Sequence, residues 1–318
     1  MPGLNIHTSY GRMLADAIAS RKPNTGRVYF VATTGVAGWD ELSSMFPTGP
    51  EGNTRVFTTL KGLLDASVIR NNGDDVVYVA ANHTETIRTA AAINFSSVNG
   101  LTVVGLGEAD ERPLFTWASA TGADMEVDSN GVTIENCRFD MTGVDALTGP
   151  IDVDSTGFTL RNCEINHADG SGQAVVAIVT DANASGLTVE GCEFIGSKDA
   201  GTVSAIRIVG GNDHRIRNNH FNGAYRTHGG AIQVTTTAAG NVLIEGNTIL
   251  NKTASSVSAV DFVKNCTAVI VGNVFGVRSG TTPITVSQDT QTGQDGGYLL
   301  VGRNYFRAAT APVAGTLL

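Results

Sequence analysis

Seven stretches of the chain repeat one pattern, and this repetition limits the possible folds more than any other feature. In each stretch apolar and polar residues alternate, and a Cys or Asn recurs at one aligned position. Successive aligned positions lie 26 to 31 residues apart. A period of this length predicts a solenoid, in which each repeat buries its apolar face only against its neighbours. The aligned residues are Cys137, Cys163, Cys192, Asn219, Asn247, Asn273 and Asn304.

Three short strands are predicted in each repeat. The alternation before the aligned residue indicates a strand with one buried face. A corner follows, because the preceding residue is Asn or Gly in six repeats, and both accept a positive φ at little cost. A second strand then ends in Phe or Ile, and a third, such as Ile151–Asp154, precedes each unit. The predicted fold is an all-β, right-handed parallel β-helix of about eight to ten coils.

Two columns of residues support this stacking. One carries charges whose signs alternate from coil to coil, as expected where opposite charges lie above one another: Glu135, Arg161, Glu190, Arg217 and Glu245. Three of the four cysteines occupy a single inward column. We expect buried, stacked thiols there and no disulfide framework.

Four segments are expected along the chain. Phe57–Arg70 has a helical spacing of apolar residues with Thr58 or Thr59 as N-cap, and predicts a helix that caps the first coil. Before it, the sequence predicts a short helix at Arg12–Ala19, a strand at Arg27–Ala32 and an irregular loop at Trp39–Pro50. The division is an N-terminal arm or attachment segment at 1–56, a cap at 57–75, the β-helix at 76–307 and a tail at 308–318.

Charge and hydropathy exclude some partners. The net charge of −9 over 318 residues argues against a nucleic-acid partner. No apolar run approaches the length of a membrane span. Met1–Pro23 lacks the continuous apolar core of a secretory signal, so export by that route is not expected.

Four acids are the candidates for chemistry. Glu126 and Asp152 should stack on adjacent coils, as should Asp128 and Asp154. Paired carboxylates at suitable separation serve glycoside hydrolysis, and a carboxylate cluster can also hold Ca²⁺. A solvated acidic face, or a face turned towards a sister subunit, explains the same residues. The sequence leaves these interpretations open.

The other candidate residues give weaker indications of a functional site. His214 and His220 lie in one coil with His228 nearby, but His214 falls in an apolar column and is expected to be a partly buried histidine. Arg207 is alone in its column as a possible base for β-elimination. We therefore predict no catalytic, cofactor-binding or metal-binding residue and no cofactor.

Two resemblances follow from these motifs. The repeat over about residues 100–306, with its Asn or Gly corner and its Cys-to-Asn ladder, looks like the pectate-lyase-like β-helix superfamily. Residues 26–117, which begin GRVYFVATTGVAGWDELSSMFPTGPEG, resemble the N-terminal part of β-helix proteins encoded among the structural genes of tailed bacteriophages. That second resemblance implies a virion component, such as a head-decoration (cement) protein, a head fibre or a spike, and such proteins are usually trimers.

The expected function is a non-enzymatic virion protein, a homotrimer that decorates or cements the capsid exterior after assembly in the host cytoplasm. Met1–Gly52, together with the tail Ala308–Leu318, would contact the major capsid protein or another virion protein. The alternative is a tail spike or fibre that binds or hydrolyses host surface polysaccharide, with the four acids as acid, base or nucleophile. A free polysaccharide lyase or hydrolase is the third interpretation.

Overall fold

The protein is a parallel β-helix in which three sheets wind around one apolar core, as the sequence predicted. Among the described residues, no helix has the length and apolarity needed to cross a membrane. The arm beyond 26–34, 52 and 54–56, with the helix and loop predicted in it, and the tail 308–318 lie outside the described part of the chain. The computed structural model describes residues 26–34, 52, 54–169, 172–196, 202–225, 230–235, 239–252, 258–263, 266–277, 285–288 and 299–307.

The first sheet contains twelve described strands. They are β1 (Val28–Val31), β2 (Val56–Phe57), β3 (Val76–Val79), β6 (Thr102–Gly105), β9 (Thr133–Glu135), β12 (Thr159–Arg161), β15 (Thr188–Glu190), β18 (Gly211–Asn212), β19 (Arg215–Arg217), β22 (Ala239–Glu245), β25 (Cys266–Val271) and β28 (Leu299–Val301).

The second and third sheets contain nine and eight described strands. The second consists of β4 (Thr84–Ile87), β7 (Leu114–Trp117), β10 (Arg138–Asp140), β13 (Glu164–Ala168), β16 (Glu193–Gly196), β20 (His220–Gly223), β23 (Thr248–Asn251), β26 (Val274–Val277) and β29 (Tyr305–Arg307). The third consists of β5 (Ile93–Asn94), β8 (Met125–Val127), β11 (Ile151–Val153), β14 (Val176–Thr180), β17 (Ser204–Ile208), β21 (Ile232–Val234), β24 (Ser258–Phe262) and β27 (Thr285–Gln288).

Equivalent positions of successive repeats lie directly above one another. Phe139 pairs with Ile165, which pairs with Phe194, and the rings of Phe194 and Phe221 stack with centroids 4.6 Å apart. In the charge column, Arg161 lies 2.8 Å from Glu135 and 3.5 Å from Glu190. The predicted register is therefore confirmed.

The predicted corners also form. Their Asn and Gly residues have φ between 53° and 68°. The side chain of Asn162 leaves little room for a side chain at the next corner, because a Cβ at Gly191 would lie 2.6 Å from Asn162 Oδ1. Asn136 turns its amide the other way, to the carbonyl oxygens of Gly105 and Gly107, and so leaves room for Asn162.

The column of aligned residues forms a hydrogen-bonded ladder inside the helix. Asn247 Oδ1 accepts from Asn219 N (2.9 Å) and Asn219 Nδ2 (3.0 Å), while Asn247 Nδ2 donates to Ile216 O (2.8 Å). In the earlier coils Cys163 takes the same place: its thiol accepts from Cys137 N (3.4 Å). All four cysteines are free and buried, as expected, and burial raises the pKa of Cys137 to about 12.

A short helix caps the first coil. The described helix, α1 (Leu60–Asp65), is shorter than the predicted Phe57–Arg70, because Ser67 adopts a positive φ of 54° and ends it. Thr59 is the N-cap, and its Oγ1 accepts from Gly62 N at 2.9 Å. The carboxylate of Glu85 accepts from two further N–H groups at the helix N-terminus, and Leu60 and Leu63 lie buried in the core.

The predicted strand at Arg27–Ala32 forms as β1, between β2 and β3. It pairs with β3 along its whole length. Asp75, which is fully buried, accepts from Arg27 N (2.6 Å) and Arg70 N (2.8 Å). One carboxylate thus joins the N-terminal strand to the segment after the cap.

Replacing Asn247 by Ala should lower the free energy of unfolding by about 2–4 kcal/mol, because Asn219 N and Ile216 O lose their partners in the core. Asn247→Cys should cost clearly less, since a thiol already fills this position at Cys163. Urea unfolding of both variants measures the difference. Equal losses for Cys and Ala would show that the ladder's hydrogen bonds contribute little.

Candidate functional site

The four candidate acids lie together on the outer face of the third sheet. Strands β8 and β11 pair in register, so that Asp152 stands over Glu126. Both carboxylates point outwards, because the residues on either side of each are buried in the core. Asp128 and Asp154 follow two residues later on the same face. The stacking predicted for these pairs is therefore present.

The carboxylates are close enough to interact strongly. Carboxylate oxygens of Glu126, Asp128 and Asp154 all lie within 4.8 Å of one another. Asn94 Nδ2 donates to Glu126 Oε2 at 2.6 Å, and the Asp124 carboxylate accepts from Ala91 N. We call the six residues that form this surface the acidic face: Asp124, Glu126, Asp128, Asp152, Asp154 and Asp181.

Four carboxyl groups of the acidic face have raised pKa values. Burial, followed by the charges of Asp154, Asp124, Glu126 and Asp181, raises the pKa of Asp152 to about 7. Burial is also the main cause that raises the pKa of Asp124, Glu126 and Asp154. At neutral pH the site therefore holds a partly protonated carboxyl group among other carboxyl groups, and acid–base catalysis uses pairs of this kind.

A cation could also satisfy this geometry. The three clustered carboxylates offer oxygen ligands of the kind that Ca²⁺ prefers, although Ca²⁺ takes six to eight oxygens. The described side chains would thus form only part of its coordination shell.

Further along the third sheet the surface changes character. Val179 follows Asp152 in the column, and Arg207 follows Val179. Arg207 Nε donates to Gln233 Oε1 at 3.1 Å, and Gln233 Nε2 lies 3.4 Å from Asp261 Oδ2. Arg207, the candidate base, is thus separated from the acids by a valine and bonded in the opposite direction.

Two of the three candidate histidines are described, and they do not converge. His214 is fully buried, beyond the partial burial that its apolar column predicted; its Nε2 contacts Gly210 O at 2.8 Å, and burial lowers its pKa. His220 belongs to the second sheet instead. His228 lies outside the described residues.

Sequence reasoning missed three residues of the site, Asn94, Asp124 and Asp181. A signal for Asp181 was present, because it stands two residues after Val179, as Asp154 does after Asp152. Asn94 lies in β5, in an earlier and less regular coil, and Asp124 lies directly before β8. Their place next to Glu126 depends on tertiary stacking.

Comparisons with known proteins give only distant structural similarities. No protein-family description matches the chain, and no curated protein matches it. Two of the similar solved structures are enzymes by name. One is an alginate lyase from Paenibacillus sp. str. FPU-7, with 14% identity over 88% of this chain and 99% of that one, at a TM-score of 0.38. The other is a pectin methylesterase from Aspergillus niger, with 15% identity over 91% of this chain and 86% of that one, at a TM-score of 0.33.

These matches correct one expectation. A protein that is not an enzyme was expected from the sequence, yet both similar structures are named as enzymes, so that expectation is withdrawn. At this level of similarity neither activity transfers to this chain. The β-helix itself rests on the strand pairing described above.

Asp152→Asn should stabilise the protein at pH 8. The folded-state pKa of Asp152 is raised to about 7 from an ordinary 3.8, so stability is lost as pH rises through this window. The gain at pH 8 should be on the order of 1 kcal/mol after allowance for solvent screening, and should vanish below pH 4. Thermal unfolding against pH measures it, with exposed Asp145→Asn as control. A gain that does not depend on pH would contradict the prediction.

Proposed function

We propose that this chain is a virion component of a tailed bacteriophage, a β-helix that acts as a homotrimer on the exterior of the capsid. The resemblance of residues 26–117 to phage structural proteins supports this proposal. The observation that carries it is the joint between the N-terminal segment and the helix. An attachment segment transmits force only if it is firmly tied to the body that it holds.

That tie is made at two levels. Strand β1 is hydrogen-bonded between β2 and β3, and so belongs to the first sheet. Buried Asp75 then accepts from both Arg27 N and Arg70 N. Residues 1–25, which precede this joint, would contact the major capsid protein or another virion protein, with residues 308–318 as a second contact.

Deleting residues 1–25 should abolish binding to particles that lack the protein, while thermal unfolding stays within experimental error, because β1 and the Asp75 joint remain. Co-sedimentation with such particles measures binding. A variant in which a Gly/Ser segment of equal length replaces residues 1–25 controls for length. Normal decoration by the truncated protein would disprove the attachment role.

A second candidate is supported by the acidic face: a spike or fibre that binds or hydrolyses host surface polysaccharide. The specific observation is that Asp152, with a pKa raised to about 7, pairs in register with Glu126 and lies beside further carboxylates on the same face. Asp152 could protonate a glycosidic oxygen, while Glu126 or Asp154 acts as base or nucleophile. Both roles need a sugar ring bound across β8 and β11.

On a glycan that the wild type cleaves, Asp152→Asn and Asp154→Asn should each lower kcat by at least about 100-fold, because general acid or base catalysis is lost. Release of reducing ends against host surface polysaccharide measures the rate. Asp145→Asn, with its exposed carboxylate outside the face, is the matched control. If the wild type releases no reducing ends from any host glycan, the hydrolytic role fails and the attachment proposal is unaffected.

A further inference from the structure

A second polar cluster lies inside the helix, at the corner between the second and third sheets. His167 is the extra residue of a bulge in β13, because Asn166 pairs with Ile195 and Ala168 with the next residue of β16. Its ring is fully buried, and so are Thr202 and Tyr225. This cluster is separate from the acidic face and has no part in the functions proposed above.

The contacts of His167 reach over three coils. Its Nδ1 lies 3.3 Å from Thr202 Oγ1, and its Nε2 lies 3.4 Å from the hydroxyl of Tyr225. The His167 and Tyr225 rings also stack, with centroids 5.7 Å apart. Thr202 and Tyr225 form an isolated parallel bridge with each other. One imidazole therefore connects three segments that the sheets leave separate at this corner.

Two glycines make room for the ring. A Cβ at Gly196 would lie 2.6 Å from His167 Cε1, and a Cβ at Gly223 would lie 3.0 Å from both His167 Cε1 and the Tyr225 hydroxyl. The first distance is shorter than real Cβ contacts show, and the second is tighter than most of them. The space left by the two glycines is thus filled by the His167 ring.

Two charged groups lie near the ring, and only the positive one opposes its protonation. Lys252, on the coil beyond, donates from Nζ to Gly196 O at 2.6 Å. Asp169 lies two residues after His167 in the chain, and its Oδ1 accepts from Gly172 N at 2.8 Å. Burial first, and then the positive charge of Lys252, lower the pKa of His167 to about 3. Thr202 and Tyr225 supply only hydroxyl groups.

We propose that His167 is an acid-sensitive latch, which holds the corner between the second and third sheets closed while it is neutral and releases it when protonated. The opened corner binds the proton at an ordinary histidine affinity, whereas the closed corner does not. Acid therefore favours opening. The acidic face responds in the opposite sense, since protonation relieves the repulsion between its carboxylates. The two regions should be distinguishable in one experiment.

Hydrogen–deuterium exchange of the whole chain at pH 7 and pH 4.5, corrected for intrinsic rates, tests the latch. Exchange through local opening in segments 168–169, 172–176, 202–206, 224–225 and 230–232 should rise roughly 70-fold at pH 4.5. Exchange in β8 and β11 should fall or stay constant. The proposal is wrong if the corner segments exchange equally at both pH values.

Three variants separate titration from packing. His167→Gln keeps an amide near both hydroxyls but cannot titrate, so the pH dependence of corner exchange should disappear. His220→Gln, which changes a less buried histidine of the same sheet, should leave it unchanged. Gly196→Ala should open the corner already at pH 7, because its Cβ would lie 2.6 Å from His167 Cε1 and displace the ring.

Should His167→Gln fail to fold, NMR of labelled histidine in the wild type decides the matter. A His167 resonance that stays neutral in the closed state down to pH 4.5 supports the latch. A His167 that titrates near pH 6.5 without loss of corner protection overturns it, as does pH-dependent exchange that survives in His167→Gln.

Discussion

Stacking of like positions in register is the constraint on which the rest of this structure depends. Each coil places its residues directly over those of the coil before, so a buried polar group finds most of its partners above or below itself. The Asn column meets this condition, because the Asn219 and Asn247 amides bond to each other and to main-chain groups of the preceding coil. The corners follow it too, since a Cβ at position 191 would lie 2.6 Å from Asn162 Oδ1.

The same stacking is destabilising where like charges lie above one another. In the charge column opposite signs alternate, and Arg161 contacts Glu135 and Glu190. On the acidic face Asp152 stands over Glu126 instead, and burial together with the neighbouring acids raises its pKa to about 7. This arrangement costs stability at neutral pH.

Much of the fold could be predicted, because the repeat is a local pattern with a global consequence. The alternation, the Asn or Gly corners and the Cys-to-Asn column each fix backbone or burial at a known position, and the period requires that they stack. The cap was predicted at Thr58 or Thr59 but made too long, since propensity does not reveal that Ser67 turns to a positive φ. The expectation of a protein without enzymatic activity rested on the absence of a recognisable motif, and such an absence carries no conclusion about activity.

The sequence by itself determined that this chain is a parallel β-helix, and it located four of the six acids that share one face. Tertiary structure decided how closely they approach, which neighbours join them and how far each pKa moves, because those quantities depend on burial and on distances between coils. It also brought His167 to Tyr225, 58 residues apart in the chain. No periodicity marks that contact, because the two glycines that allow it act by the side chains they lack.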